Sequence, residues 1–225
     1  MKIEELGKYD NFHLYYVDEI SSTNDYLKTN YESFPDHSIL WAKKQTKGRG
    51  RYDRVWISND DITFSFLFKK PQNNQIIAPI AIVDALALYG KKAKIKWPND
   101  VYLNDKKLSG ILIEDIYLNG YQASIVGIGI NHSNKDEVDG IGLNDINIDS
   151  KDLILKIAKY YDYLSNIDIK ELVKKYKENN LIIGKKIIYQ GKEYLAKEIN
   201  DDGSLKLMSD TEIDIKCDEI FLKTR

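Results

Sequence analysis

The sequence predicts an α+β fold: a mixed or antiparallel β-sheet with helices, followed by a small C-terminal β-barrel. Three observations predict it. Strand-like runs follow one another closely from Ala93 to Ile130 and are joined by the hairpin dipeptides Asn104-Asp105 and Asn119-Gly120, the second being the stronger turn signal. No glycine fingerprint of a doubly wound, dinucleotide-binding sheet accompanies them. After Gly184 the chain changes to short strand-like runs separated by Gln190-Gly191 and Asp202-Gly203, the pattern of a small barrel. The expected division is therefore a domain at 1–181 and a second at 182–225.

In chain order, Phe12 to Val17 and Ile39 to Lys43 read as strands. Between them Ser22 and Thr23 are N-cap candidates for a helix running to about Tyr31. Thr63 to Phe68 alternates polar and aromatic residues as a half-buried strand does. Ile76 to Tyr89 stays apolar over a helical length, which predicts a deeply buried helix. Ala93 to Trp97, Val101 to Leu103, Lys107 to Glu114 and Gln122 to Ile130 are the sheet strands, and Asn131 to Ser150 is a polar connection. Helical periodicity returns at Leu153 to Leu164 and Ile169 to Asn179. The expected barrel strands are Ile187 to Tyr189, Glu193 to Glu198, Leu205 to Met208 and Glu212 to Ile215.

Composition narrows the function classes. With 225 residues, 43% hydrophobic and 30% charged, the chain is that of a globular protein, and no apolar run approaches the roughly 20 residues that span a bilayer. Met1 to Leu6 is too polar for a signal peptide, so a cytoplasmic address is expected. The single cysteine, Cys217, and three histidines at 13, 37 and 132 offer no protein-built metal site. A net charge of -2 argues against general nucleic-acid binding.

Chemistry concentrates in two stretches. In Gln45-Thr46-Lys47-Gly48-Arg49-Gly50-Arg51-Tyr52-Asp53-Arg54-Val55-Trp56, three arginines crowd onto a tight loop whose glycines let backbone approach a partner closely. A solvated surface turn would have the same composition. The second stretch, Lys96-Trp97-Pro98-Asn99-Asp100, is followed by Lys106 and Lys107, so two cationic loops can converge on one anion. Trp97 and Pro98 read as core and bend, whereas Asp100 could orient an amine or accept its proton. Ser22-Thr23-Asn24 is at least a helix cap. Gly127-Ile128-Gly129-Ile130-Asn131 reads as a strand that permits close approach and presents an amide at its end.

Taken in order, Ser22-Thr23-Asn24, the Gln45 to Trp56 loop, Lys96 to Asp100, Lys107-Leu108-Ser109-Gly110-Ile111-Leu112 and Gly127 to Asn131 closely resemble the biotin protein ligases, in the form lacking a DNA-binding repressor domain. The resemblance implies a fold like that of class II aminoacyl-tRNA synthetases and biotin ligases, with an SH3-like C-terminal barrel. It also implies a two-step reaction: biotin and MgATP form biotinyl-5′-AMP and pyrophosphate, then a lysine of a biotin carboxyl carrier protein or carboxylase biotin domain takes the biotinyl group. Carried over residue by residue, Ser22, Thr23, Asn24, Gln45, Arg49, Gly50, Arg51, Lys107 and Gly110 would bind biotin. Arg49, Arg51, Arg54, Trp56, Lys96, Asn99, Lys107 and Asn131 would bind ATP, Asn131 by a hydrogen bond to adenine. Arg49, Lys107 and Asp100 would be catalytic.

Asp53 departs from the pattern, standing where the family usually has glycine, and leaves the bend of the loop open. Specific DNA binding is not expected, because no helix-turn-helix precedes residue 10. A free sheet edge could pair two copies into a homodimer. The alternatives are a lipoate-type acyl ligase, whose Arg-Arg-x-Ser-Gly-Gly-Gly signature is absent, and a non-catalytic biotin or nucleotide sensor, against which Arg49, Arg51 and Lys107 argue.

Overall fold

A computed structural model describes residues 2–58, 60–135, 140–143, 148–216 and 218–222; Cys217 lies outside them. The first strand is β1 (Glu4–Tyr9), absent from the sequence-based expectation because its EELGKY carries no apolar alternation. Next come β2 (Phe12–Ile20), α1 (Thr23–Asn30), β3 (Ser38–Gln45), β4 (Ile62–Phe68) and α2 (Asn74–Ala87). The predicted run of sheet strands appears as β5 (Lys94–Lys96), β6 (Asp100–Leu103), β7 (Lys106–Tyr117) and β8 (Tyr121–Ile130). Both hairpin dipeptides hold the left-handed backbone that two-residue turns require, with φ of 50° and 60° at Asn104 and Asp105 and 53° and 122° at Asn119 and Gly120.

These strands form one mixed sheet in the order β1-β2-β3-β4-β8-β7-β6-β5, with β2 and β3 parallel and its other described pairs antiparallel. The parallel pair needs a crossover, and α1 supplies it. Within each half of the sheet, β1 to β4 and β5 to β8, every paired strand is next to its partner in sequence. A single pairing, β4 with β8, joins the halves.

Alternation along β4 and β8 sorts the two faces. Ile62, Phe64, Phe66 and Phe68, with Val126, Ile128 and Ile130, join the main core, which also takes in α2, α3 (Ser150–Ser165) and α4 (Ile169–Glu178). Leu67, Ala123 and Ile125 turn to the other face and pack with Leu27 of α1. Also in phase with that face are Thr63, Ser65, Gly127 and Gly129, small or polar residues at one end of the sheet. The expectation that β4 is half-buried is corrected: all seven of its residues are buried, because it is a central strand covered on both sides.

The C-terminal segment forms a second, antiparallel sheet from β9 (Lys186–Tyr189), β10 (Lys192–Ile199), β11 (Leu205–Met208), β12 (Glu212–Ile215) and β13 (Phe221–Leu222). Its order is β12-β11-β10-β9-β13. It docks on the first sheet through shared apolar packing and through Trp97, whose Nε1 donates to the Gly203 carbonyl at 3.0 Å.

Candidate active site

Every residue that the resemblance assigns to binding or catalysis lines one cavity of about 700 Å³ on the α1 face of the sheet. Its floor follows β8. Gly127, Gly129 and Asn131 all line it, and four residues at about 3.4 Å each give a trough roughly 14 Å long. The glycines are required by what lies over them: a Cβ at Gly127 would meet Asn24 Oδ1 at 2.3 Å, and one at Gly129 would meet the Trp56 ring at 2.4 Å.

One end of the trough is built from neutral dipoles. Ser22 caps α1, accepting from the Asp25 amide at 3.3 Å. The Thr23 amide donates to Gln45 Oε1 at 2.7 Å, and Thr23 Oγ1 lies 2.6 Å from Ser65 Oγ. Ser65 donates to Asn24 Oδ1 at 2.6 Å, while Asn24 Nδ2 donates to Glu114 Oε2 at 3.0 Å. Ser22, Thr23, Asn24 and Ser65 are buried, Gln45 and Glu114 half-buried, and their mutual hydrogen bonds fix their orientation before any ligand arrives.

The arginine loop crosses the trough. The Trp56 amide donates to the Gly48 carbonyl at 2.9 Å, and a Cβ at Gly48 would meet Trp56 O at 2.6 Å, so glycine is needed there. The left-handed residue of the loop is Tyr52, at φ 55°. Arg49 reaches Asp25 Oδ1 at 2.5 Å and Glu114 Oε2 at 2.8 Å, fastening the loop to α1 and β7. Arg51 donates to Asn99 Oδ1 at 3.1 Å, and Arg54 pairs with Glu219 of the C-terminal segment.

The other end is cationic. Lys107 Nζ lies 2.7 Å from Asp100 Oδ1 and 5.9 Å from the centre of the Trp56 ring. Burial lowers the Lys96 pKa, with Lys107 adding repulsion and Asp100 opposing both. Lys106, expected to flank this site, is exposed and does not line the cavity. Asn131, expected to present an amide at the end of its strand, lines the cavity. Its Nδ2 donates to the Lys107 carbonyl at 3.0 Å and the Ile141 carbonyl at 3.2 Å, so it braces backbone first.

Five contributing residues escaped sequence reasoning: Asp25, Asp61, Glu114, Lys135 and Glu219. Asp25, three positions after the Ser22 cap, carries a helix-start signal. The rest depend on partners distant in sequence.

Glu114 has a measurable consequence. Burial would raise its pKa, but donors from Asn24, Arg49 and Lys28 outweigh that and hold it below the usual 4.5. Because the folded value is the lower one, this contribution to stability is complete above pH 4.5 and fades as pH falls through the folded pKa. Glu114→Gln should therefore flatten the acid side of the stability profile measured by denaturant unfolding. An unchanged acid slope would remove Glu114 from the network.

Comparisons with known proteins bear on the family and the fold. The model of the biotin/lipoate A/B protein ligase family matches residues 16–131. A bifunctional ligase/repressor from Bacillus spizizenii is 37% identical over 145 residues, covering 58% of this chain and 42% of that protein. Biotin–protein ligase 2 of Arabidopsis thaliana is 28% identical over 207 residues, 81% of this chain and 61% of its own. This chain thus spans less than two thirds of either relative. The solved biotin protein ligase from Aquifex aeolicus, in complex with biotin and ATP, superposes with a TM-score of 0.80 at 27% identity, covering 96% of this chain and 100% of that one. No helix among the described residues is long and apolar enough to cross a membrane. With half of its length matched by the family model and the matched motifs lining one cavity, the chain belongs to the biotin/lipoate A/B protein ligase family.

Proposed function

We propose that the protein is a biotin protein ligase that makes biotinyl-5′-AMP from biotin and MgATP and then biotinylates a lysine of a carboxyl carrier protein or carboxylase biotin domain. The observation that carries this reading is the polarity of the trough: neutral dipoles at Ser22 to Asn24 and Gln45, cations at Lys96 and Lys107, and a glycine floor between them. A neutral ureido ring is recognised by dipoles, and a triphosphate by fixed positive charge.

In the first step a biotin carboxylate oxygen bonds to the α-phosphorus as the bond to the β-phosphate oxygen breaks, expelling pyrophosphate. Lys107 and Lys96 offset the charge that builds on the phosphoryl oxygens, with Arg51 at the same wall. Trp56 lies over the floor and shields the reacting centre from water. Mg²⁺ neutralises phosphate charge when bound with the nucleotide. It would keep several waters and need only one or two protein carboxylates, of which Glu219 on the cavity wall would supply one.

In the second step the acceptor amine attacks the acyl carbon of the mixed anhydride, AMP leaves, and the amine loses a proton. A free lysine, with a pKa of about 10.4, is protonated at neutral pH, so a carboxylate beside it assists. Asp100 is our candidate.

Biotin should drive exchange of labelled pyrophosphate into ATP, and lipoate should not replace it; equal exchange with lipoate, or none with biotin under Mg²⁺, rejects the reading. Asp100→Asn should leave adenylate formation in place while slowing transfer. Equal loss of both steps would instead assign Asp100 to holding Lys107.

A further inference from the structure

One buried ion pair at the cationic end takes no part in the chemistry above. Asp61, just before β4, has a side chain 2% exposed, and its Oδ2 accepts from Lys135 Nζ at 2.7 Å. Lys135, beyond the end of β8, also donates from Nζ to the Ile57 carbonyl at 2.7 Å. The other Asp61 oxygen accepts from the His132 amide at 3.2 Å. Two carboxylate oxygens and one ammonium thus tie the segment that follows β8 to the segment that follows Trp56.

The tie continues toward the reacting centre. The Lys135 backbone exchanges two hydrogen bonds with Gly140, both 2.9 Å, and the Ile141 amide donates to the Lys107 carbonyl at 2.9 Å. Gly140 is pressed against this arrangement, since a Cβ there would meet Lys135 Cβ at 2.9 Å and Asn131 Nδ2 at 3.0 Å. Asp61 and Lys135 both line the cavity; Lys135 anchors Ile57, the residue next to Trp56, and through Gly140 and Ile141 connects to the backbone of Lys107, while Asp61 holds the Lys135 ammonium and the His132 amide.

We propose that Asp61 and Lys135 are positioning residues for the nucleotide, a clasp that sets where Trp56 and Lys107 stand relative to each other across the cationic end of the trough. The proposal rests on the reading that this end takes ATP. Stability alone is a poor reason for such a pair, because apolar residues of similar volume often replace a buried ion pair without loss, whereas fixing a register is its best-attested use. Burial raises the Asp61 carboxyl above its ordinary value, with Lys135 opposing that shift.

The test compares wild type with Asp61→Leu/Lys135→Met, which fills the space without the polar ties. Binding of α,β-methylene-ATP at saturating biotin, binding of biotin alone, and thermal midpoint are measured by calorimetry; KM for ATP is read from pyrophosphate exchange. The expected result is about 10-fold or more weaker nucleotide binding and a matching rise in KM, the usual worth of charge-assisted hydrogen bonds. Biotin affinity should stay within about two-fold and the midpoint close to wild type. Unchanged nucleotide affinity, or biotin affinity falling as far as that for nucleotide, overturns the clasp. Should the double variant fail to fold, Asp61→Asn, isosteric and still an acceptor for His132, is judged by the same nucleotide-to-biotin split. Wild-type protein that binds the nucleotide without biotin-dependent exchange would sink the ligase reading, while the affinity ratio still decides the clasp.

Discussion

Lys107→Ala is expected to lower biotin-dependent pyrophosphate exchange by roughly 10- to 150-fold, the equivalent of about 1.5–3 kcal/mol for one charge-assisted hydrogen bond. Two losses act together. The variant removes a fixed cation from the end of the trough assigned to the phosphates, and it strips Asp100 of the ammonium 2.7 Å from its Oδ1, an atom that is itself buried. Lys107→Arg is not a conservative control, because a planar guanidinium fork does not reproduce the compact ammonium that sits 2.7 Å from Asp100 Oδ1. Near-normal exchange in Lys107→Ala would show that the anion site lies elsewhere. Arg49 acts by a different route. The resemblance implies a phosphate contact, but its guanidinium is occupied by Asp25 and Glu114, so Arg49→Ala should loosen the arginine loop in addition to removing charge.

A chain ending at residue 181 is expected to lose exchange and transfer far more than biotin binding. Ser22, Thr23, Asn24 and Gln45 take their hydrogen bonds from α1, β3, β4 and β7, none of which involves the C-terminal sheet. The cationic end differs. Glu219, Ile220 and Phe221 line the cavity, Arg54 pairs with Glu219, and Trp97, one residue after Lys96, bonds to Gly203. Calorimetric biotin titration beside an exchange assay gives the comparison. Because one apolar cluster runs from Ile95 and Trp97 into Ile187 and Leu205, the truncated chain should also melt at lower temperature. A folded truncation that binds no biotin would overturn the proposed boundary at 181.

The sequence was most legible where local backbone chemistry decides the outcome. Asn119-Gly120 and Asn104-Asp105 tolerate left-handed backbone, Ser22 can reach the amide of Asp25, and the apolar run at 76–89 has little alternative to a buried helix, found at Asn74–Ala87. It was least legible where a residue is defined by something far along the chain. Glu114 closes a predicted strand, and only folding brings it to Asn24, Lys28 and Arg49. Asp61 and Lys135 look like ordinary surface charges in sequence. Strand β1 escaped because only Leu6 and Tyr9 of this edge strand pack on the core, too few to make an alternating pattern. The doubt over Asp53 concerned where the loop bends, and the left-handed residue is the neighbouring Tyr52.

The pairing of β4 with β8 has a kinetic and thermodynamic meaning. Each half of the sheet can zip up from neighbouring strands, whereas the seam that sets Ile62 beside Ile130 must close a long stretch of chain, the slower kind of contact to make. The cavity straddles that seam, with Thr23, Gln45 and Phe64 on one side and Lys96, Lys107 and Gly110 on the other. A ligand lying along it therefore acts as a splint: at 100 times its dissociation constant it adds about 2.7 kcal/mol to the folded state. That energy favours the folded state, in which the two halves are joined along β4 and β8.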